Sequence, residues 1–291
     1  MEHLLPPPLL QRRIRVHLVG VGGNGAQMAS CLARLNIAML AFGHPFGLHV
    51  TAFDDDRVAP SNVGRQIYSP SDIGQYKAIL SVHRLNQFYG LDWDALPQRY
   101  PLTAQAIDGP APDLLISCVD TAQARLQLHE LMFNRARTGY DGGYRYGGAK
   151  AIPYWLDLGN TEAQAQVVLG QPKWPRCPLR QEWERLPCVT ELFRELLARD
   201  QRLDEEHQPS CSVALSLASQ GLFVNDLAVR WAGQLLYELL CAGRLRQHGV
   251  LINLTSKRCG PIDIDPQVWK RFGVKRRKPP SRRDQPENQA G

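Results

Sequence analysis

The stretch Val16-His17-Leu18-Val19-Gly20-Val21-Gly22-Gly23-Asn24-Gly25 decides the fold of this 291-residue chain. Residues 16–19 form a short apolar run typical of a buried strand, and a glycine-rich turn and a helical pattern follow directly. Glycines at such a junction permit a tight turn, while the helix N-terminus presents free N–H groups to an anion. The stretch therefore predicts a nucleotide-binding unit, with candidate binding residues Gly20, Gly22, Gly23 and Gly25.

A second motif follows the next apolar strand and begins with Asp54-Asp55-Asp56. It continues through Ser61-Asn62 and Arg65-Gln66 to Lys77. A triphosphate needs several cations around its anionic oxygens, whereas a nicotinamide site has little need for them behind its ribose carboxylate. The motif therefore indicates a nucleoside triphosphate site with the candidates Asp54, Asp56, Asn62, Arg65 and Lys77. The glycine pattern alone also fits an NAD- or FAD-dependent oxidoreductase, although no obvious catalytic His or Tyr-x-x-x-Lys pair accompanies it.

The remaining pattern predicts a parallel sheet with additions in the second half. Residues 114–118 form another apolar strand ending near Asp120, and a carboxylate at that end is well placed to hold Mg²⁺. Helical patterns at 25–36, 77–88 and 122–137 complete a strand–helix alternation typical of a doubly covered parallel sheet. The later expectations are a strand pair at 153–159 and 165–170, a short helix at 189–199 within a loop-rich segment 174–208, an apolar helical region at 213–241 and a final strand at 249–254.

These motifs resemble the adenylation domains of the ThiF/MoeB/ubiquitin-activating-enzyme superfamily. The shared pattern is G-x-G-G-x-G, D-x-D-x-V-x-x-S-N-x-x-R-Q, a lysine and a strand-end aspartate. Residues 154–160 and 209–212 further resemble the ThiF-type protein of the PRTRC genetic system. The resemblance implies an α/β, Rossmann-like, mostly parallel sheet with helices on both faces and antiparallel strands added later. It implies a single domain over 1–269, with a nucleotide-binding half at about 14–137 and an acceptor and dimer half at about 150–265.

The resemblance also implies an activity: adenylation of the C-terminal carboxylate of a small ubiquitin-like protein, with ATP and Mg²⁺, in a homodimer. Asp54 would bind the ribose, and Asp120 would coordinate Mg²⁺. Asn62, Arg65 and Lys77 would contact phosphates, and the latter two would assist the reaction. Asp56 would either join them or only brace its loop.

The cysteines depart from the pattern of these relatives. Relatives carry two C-x-x-C pairs for a structural zinc, whereas Cys177 and Cys259 are single here, so no zinc site is predicted. Recruitment of Cys188 to a different zinc site remains an alternative. Cys211 matches the position of a cysteine that takes the acyl group or sulfur, and the alternative is a cysteine that only packs or caps the following helix.

The N-terminal segment also departs from the family pattern. Relatives often reach a neighbour's phosphates with an arginine on an N-terminal helix, whereas only a Pro-rich segment with Arg12 and Arg13 precedes the first strand here. A scaffold that binds a partner without adenylating it therefore remains an alternative.

The net charge of +6 belongs to the C-terminal segment. Residues 270–291 carry eight Lys and Arg residues against Asp284 and Glu287, so the preceding chain is neutral. This composition predicts a disordered basic tail, with at most a weak nucleic-acid contact. No apolar run approaches about 18 residues, which excludes a membrane-spanning helix. Scattered cysteines fit a reducing compartment, so a cytoplasmic location is expected.

Overall fold

The computed structural model describes residues 1–101, 111–138, 152–172, 185–204 and 221–274. The strands are β1 (His3–Leu4), β2 (Ile14–Val19), β3 (Leu48–Phe53), β4 (Asp94–Leu96), β5 (Leu114–Ser117), β6 (Tyr154–Asn160), β7 (Gln164–Gly170), β8 (Arg244–Leu245), β9 (Gln247–Asn253) and β10 (Arg258–Asp263). The helices are α1 (Gly23–Ala41), α2 (Lys77–Tyr89), α3 (Ala122–Thr138), α4 (Val189–Leu192), α5 (Arg194–Asp204), α6 (Val224–Leu240) and α7 (Pro266–Arg271).

Eight strands form one sheet in the order β10-β9-β7-β6-β5-β2-β3-β4. The five strands from β6 to β4 run parallel, whereas β6–β7, β7–β9 and β9–β10 pair antiparallel. The short strand β1 pairs with β8 in a second, two-stranded sheet. The predicted α/β fold, with antiparallel strands added late in the chain, is therefore confirmed.

The central strands are apolar because both of their faces are covered. Leu114, Leu115 and Ile116 point alternately to opposite faces of the sheet, and all three are buried. In β2, Leu18 lies opposite Ala52 of β3 on one side and opposite Ile116 of β5 on the other. The strand that follows β2, β3, lies on one side of it, whereas β5 lies on the other side. A crevice therefore opens at the carboxyl ends of these three strands.

One helical expectation needs correction. The helix expected at 189–199 is two helices, α4 and α5, with a break at Phe193 (φ −117°, ψ 33°) and an end at Asp204. Of the region expected to be helical, 213–241, the structure describes the part from residue 221, which contains α6 at Val224–Leu240. The N–H of Gly221 donates to the carbonyl of Glu162 at 2.9 Å, so this residue is tied to the β6–β7 turn instead of a helical ladder. Residues 205–220 lie outside the described part of the chain.

The C-terminal end of the folded body also differs from the expectation. Strand β10 and helix α7 were not predicted, and α7 is capped by the Asp265 side chain, which accepts from the Gln267 N–H at 2.7 Å. Phe272 and Val274 pack against the hydrophobic core. The segment expected to be a disordered tail from residue 270 is therefore folded through residue 274, and residues 275–291 lie outside the described part.

Candidate functional site

The glycine-rich turn packs tightly between the ends of two neighbouring strands. Gly20 has φ +84°, and its N–H donates to the carbonyl of Phe53 at the end of β3 at 2.9 Å. A Cβ on Gly20 would lie 2.9 Å from the carbonyl oxygen of Cys118, and a Cβ on Gly25 would overlap the carbonyl oxygen of Gly20. Both positions therefore require glycine, and the turn brings the N-terminus of α1 close to the ends of β3 and β5.

Asp54 is oriented beside this turn by two backbone donors. The N–H of Val21 donates to its Oδ2 at 2.5 Å, and the N–H of Asp56 donates to its Oδ1 at 2.8 Å. Burial raises the pKa of Asp54 above its ordinary value, and the two backbone hydrogen bonds oppose that rise. A carboxylate fixed in this way at the end of β3 is suited to accept hydrogen bonds from ribose hydroxyl groups.

Lys77 and Asp56 form an ion pair at the start of α2. The Nζ of Lys77 lies 2.7 Å from Oδ2 of Asp56, and the N–H of Lys77 donates to the carbonyl of Asp56 at 3.0 Å. The side chain of Lys77 is 7% exposed and that of Asp56 is 66% exposed. Asp56 therefore positions the buried lysine, which supports a bracing role for this residue, and its outer face remains in solvent.

Asn62 and Arg65 lie on the loop that follows β3. The Oδ1 of buried Asn62 accepts from the N–H of Ala59 at 2.9 Å, which closes the 3₁₀ turn Pro60–Asn62. Burial lowers the pKa of Arg65, and the negative charge of Asp120 partly offsets this effect. Asp120 itself is exposed on the loop after β5. The structure thus brings a guanidinium and a carboxylate from two loops toward each other, and it gives Asn62 a turn-closing role.

Arg125 and Asp157 form a buried ion pair that supports the Asp120 loop. Both Asp157 oxygens lie 3.1 Å from Nε of Arg125. The Arg125 guanidinium also donates to the carbonyls of Val119 at 2.6 Å and Thr121 at 3.3 Å, on either side of Asp120. The sequence does not reveal this pair, because no spacing rule relates residues 32 positions apart.

Tyr68 was also missed from the sequence. Its hydroxyl donates to the carbonyl of Val21 in the glycine-rich turn at 2.6 Å and lies 3.2 Å from the Ser81 hydroxyl. Burial raises the pKa of Tyr68, so the hydroxyl stays protonated and remains a donor. Nearby, the buried Oε1 of Gln66 has no hydrogen-bond partner among the described residues, and the Gln66 amide adjoins Gly22. Polar groups of this kind fit a site that is completed by a nucleotide.

The expected acids and cations around Mg·ATP are thus present at one edge of the sheet. Asp54, Asp55 and Asp56 each have a carboxylate oxygen within 4.8 Å of the others, but Asp55 contacts Arg99 at 2.9 Å and Asp56 contacts Lys77. Asp120, from the loop after β5, is the residue predicted to hold Mg²⁺. Carboxylate oxygens are suitable ligands for Mg²⁺, which commonly keeps several waters and binds substrate phosphates as well. The residues therefore fit the group that the motif implies.

The N-terminal arginines are engaged within the chain. Arg12 pairs with buried Asp113, with Nη1 2.7 Å from Oδ2, and Arg13 pairs with Asp92, with Nη1 2.9 Å from Oδ2. Both arginines precede β2, at the edge of the sheet opposite the crevice. Neither therefore contacts the candidate site of its own chain.

The predicted nucleophile Cys211 lies outside the described residues, as does Cys177. Cys188 is buried at the N-cap of α4, and burial raises the pKa of its thiol, which disfavours the thiolate. Cys259 is exposed on β10. Two statements therefore stay predictions: that Cys211 is a nucleophile, and that Cys177 and Cys259 do not bind zinc.

Within the described ranges, no helix combines the length and apolar character needed to cross a membrane.

Comparison with known proteins gives one family match. The model of the ThiF family matches residues 10–215. Ubiquitin-like modifier-activating enzyme 5 of Aedes aegypti is 30% identical over 146 residues, which cover 44% of this chain and 34% of that protein. Its Drosophila melanogaster counterpart is 27% identical over 160 residues, covering 50% and 37%. The chain therefore spans about a third of the length of these relatives.

Solved structures with the same fold are longer as well. PaaA superposes with a TM-score of 0.53 at 12% identity, covering 88% of this chain and 65% of that one. Escherichia coli MccB with MccA gives a TM-score of 0.52 at 14% identity, covering 89% and 66%, and MccB with ATP also gives 0.52. At such low identity these likenesses show the fold alone.

Proposed function

The chain belongs to the ThiF family, and we propose that it is an adenylyltransferase that activates a substrate carboxylate with Mg·ATP. The observation that carries this proposal is the arrangement at the carboxyl edge of β2, β3 and β5. There Asp54 lies beside the glycine turn, Lys77 pairs with Asp56, and Arg65 lies close enough to Asp120 to feel its charge. A site with this mixture of donors, cations and carboxylates fits a nucleoside triphosphate better than a dinucleotide.

The reaction would need positioning more than covalent work by the protein. The substrate carboxylate oxygen forms a bond to the α-phosphorus, the bond between the α-phosphorus and the bridging oxygen breaks, and pyrophosphate leaves with the electron pair. Asp54 would hold the ribose, and the cations Arg65 and Lys77 would neutralise charge on the phosphates. Asp120, held by Arg125 through the loop carbonyls, would bind Mg²⁺, which shields phosphate charge when bound.

The proposed substrate is the C-terminal carboxylate of a small ubiquitin-like protein. The names of the curated relatives and the complex of MccB with MccA support a protein or peptide substrate. Membership of the PRTRC-type subfamily, assembly as a cytoplasmic homodimer and acyl transfer to Cys211 belong to the same proposal. The resemblance supports them, and no described contact bears on them.

A scaffold without adenylation activity is the second candidate. Arg12 and Arg13 favour it, because both are committed to ion pairs with Asp113 and Asp92 on the far side of the sheet. Such a protein would keep the nucleotide fold and bind a partner, but no arginine from this segment would reach a phosphate group.

Isotope exchange between pyrophosphate and ATP distinguishes the two candidates. The assay would use short randomised peptides with free carboxyl termini and a panel of ubiquitin-like proteins, with amidated versions as controls. We expect exchange that requires the free carboxylate and falls at least 100-fold in Asp120→Asn, with Asp94→Asn as a matched control on exposed β4. Binding of a partner without any exchange would identify a scaffold, and exchange unchanged in Asp120→Asn would contradict the proposed role of this residue.

A further inference from the structure

A hydrogen bond from Tyr68 fixes one peptide unit of the glycine-rich turn, the unit between Val21 and Gly22. The buried hydroxyl of Tyr68 donates to the carbonyl of Val21 at 2.6 Å. A tyrosine hydroxyl has a single proton, so in the contact with Ser81, 3.2 Å away, the serine hydroxyl is the donor. The only proton of the Tyr68 hydroxyl is therefore directed at the turn.

The N–H of the same peptide unit is available to a ligand. The peptide bond is trans, so the carbonyl of Val21 and the N–H of Gly22 point in opposite directions. Because the carbonyl is directed at Tyr68, the N–H of Gly22 points away from Tyr68. Within the described ranges this N–H has no acceptor, and Gly22 is partly exposed at the N-cap of α1. An N–H in this position is a donor for an anion.

Glycine at position 22 leaves two orientations of this peptide unit open. Rotation of the unit by half a turn exchanges the positions of its carbonyl and its N–H. Such a rotation would carry φ of Gly22 from −83° to about +97°, and glycine adopts positive φ about as readily as negative φ. The backbone alone therefore does not select the observed orientation, whereas the hydrogen bond from Tyr68 does.

The two orientations present opposite partial charges to a phosphate group. The observed one offers the N–H of Gly22, and the rotated one would place the carbonyl oxygen of Val21 there and repel the phosphate. The carboxylate of Asp54 is not affected in the same way, because it accepts from the N–H of Val21, which belongs to the preceding peptide unit. The phosphate contact therefore depends on Tyr68, and the expected ribose contact does not.

We propose that Tyr68 is a positioning residue for the nucleotide: its hydroxyl holds the Val21–Gly22 peptide in the orientation in which the N–H of Gly22 donates to a phosphate group. This inference rests on the proposed function for the identity of the ligand, but it concerns the binding of phosphate and not the later transfer. Tyr68 touches no ligand itself and acts through the glycine-rich turn.

Titration calorimetry with Mg·ATP and with adenosine tests the inference. Tyr68→Phe removes only the hydroxyl, and we expect the Kd for Mg·ATP to rise about tenfold, because a hydrogen bond to a charged group is lost. The Kd for adenosine, which has no phosphate, should stay within about twofold. A general loss of structure would weaken both ligands alike. An unchanged Kd for Mg·ATP, or equal losses for the two ligands, would overturn the inference.

Tyr154→Phe is the matched control for this substitution. Tyr154 is also buried, and its hydroxyl lies 2.7 Å from Nε2 of His3 at the start of β6, on the edge of the sheet opposite the crevice. The variant loses the same hydroxyl group from a hydrogen-bonded position. Its Kd values for Mg·ATP and adenosine should both stay within about twofold of the original protein.

A second substitution tests the orientation of the peptide itself. A Cβ on Gly22 would lie 3.8 Å from the Gln66 amide, which is an ordinary contact, whereas alanine disfavours the positive φ of the rotated peptide. Adding Gly22→Ala to Tyr68→Phe should therefore lower the Kd for Mg·ATP again, by about threefold or more. A damaged fold would gain nothing from this addition, and a double variant that binds no better than Tyr68→Phe would overturn the inference.

Pyrophosphate exchange on the same proteins separates this inference from the proposed function. Mg·ATP binding that weakens in Tyr68→Phe, in a protein that catalyses no exchange, would uphold the inference and refute adenylation. Exchange by the original protein, together with a Kd that is unchanged in Tyr68→Phe, would do the reverse. An original protein that binds no Mg·ATP would refute both.

Discussion

At the scale of single residues, Lys77 is a buried cation whose ion-pair partner within the described part of the chain is an exposed carboxylate. The ammonium of Lys77 is buried, whereas its partner Asp56 is largely exposed to solvent. Because water screens the exposed carboxylate, a pair of this kind contributes about 0–1 kcal/mol to the free energy of unfolding. Because the ion pair adds so little to the free energy of unfolding, the buried ammonium is better explained by a role in binding an anionic ligand.

The variant Lys77→Met separates binding from folding. Methionine retains an apolar stem and removes the charge, so we expect the Kd for Mg·ATP to rise about 10- to 100-fold, since a hydrogen bond to a charged group contributes about 1.5–3 kcal/mol. The free energy of unfolding should change by less than about 1 kcal/mol. Calorimetric titration and urea denaturation measure the two quantities, with Lys270→Met on α7 as control. An unchanged Kd would show that Lys77 does not contact the nucleotide.

The sequence identifies site residues when they belong to one continuous motif. Asp54, Asp56 and Lys77 are recognisable because their spacing follows a strand end and a helix start. Tyr68 is not, because its contact with the glycine-rich turn crosses between elements that are distant in sequence. For Asn62 the motif suggests a role that its observed contact does not explain. Its position predicts a phosphate contact, whereas its Oδ1 accepts from the N–H of Ala59 and closes a turn.

Between elements, the buried ion pair of Arg125 and Asp157 joins α3 to β6. The two side chains are 6% and 1% exposed, and the hydroxyl of Ser117 donates to Asp157 at 2.6 Å. Burial of two charges costs desolvation energy that their attraction repays only while both partners are present. The pair therefore constrains the loop of Asp120 more than it adds to stability.

A double-mutant cycle tests this interpretation. Asp157→Leu leaves the Arg125 charge buried without its carboxylate, and we expect a loss of about 3–5 kcal/mol of unfolding free energy. Adding Arg125→Met should restore most of that loss, because two apolar side chains replace the pair. The double variant should bind Mg·ATP more weakly than the original protein, because the carbonyls of Val119 and Thr121 lose their hydrogen-bond donor. A double variant as unstable as the sum of its single variants would contradict this account.

Helix and strand limits were predictable where burial alone decides them. The parallel strands are apolar because both faces of the sheet are covered, so 114–118 is recognisable from the sequence. The edge strand β10 was not, because Arg258, Cys259, Gly260 and Pro261 are all exposed and show no apolar pattern. The hydrogen bond from the N–H of Gly221 to the carbonyl of Glu162, just before α6, is likewise a tertiary contact that local periodicity does not reveal.

At the scale of the whole molecule, two buried histidines connect the chain ends to the sheet. His248 on β9 lies 2.9 Å, through Nδ1, from the carbonyl of Leu169, and its Nε2 accepts from the indole N–H of Trp269 at 2.8 Å. An indole only donates and a carbonyl only accepts, so this imidazole is neutral. His3 lies 2.7 Å from the hydroxyl of Tyr154. Burial lowers the pKa of His3 and of His248 to about 4.

These histidines predict a loss of stability in acid. Their pKa values are about 6.5 in the unfolded chain and about 4 in the folded one, so their contribution is fully present above pH 6.5. It is lost as the pH falls through 4, because the unfolded chain binds protons first. Once both states are fully protonated, each histidine would have lowered the free energy of unfolding by about 3 kcal/mol.

Urea denaturation between pH 7.5 and 4 measures this loss. In His248→Gln the free energy of unfolding should depend less on pH across that window than in the original protein. His83→Gln on the exposed face of α2 serves as control and should retain the full dependence. If the original protein and His248→Gln lose the same free energy between pH 6.5 and 4, then His248 is not responsible.

Thermal unfolding with Mg·ATP, NAD⁺ and FAD tests the central claim most directly. A ligand at 100 times its Kd adds about 2.7 kcal/mol to the stability of the folded state, a change that is visible as a rise of several degrees in Tm for a domain of this size. The account predicts a rise with ATP that depends on Mg²⁺ and disappears in Asp120→Asn. No response to ATP, or a rise with NAD⁺ or FAD alone, would contradict it.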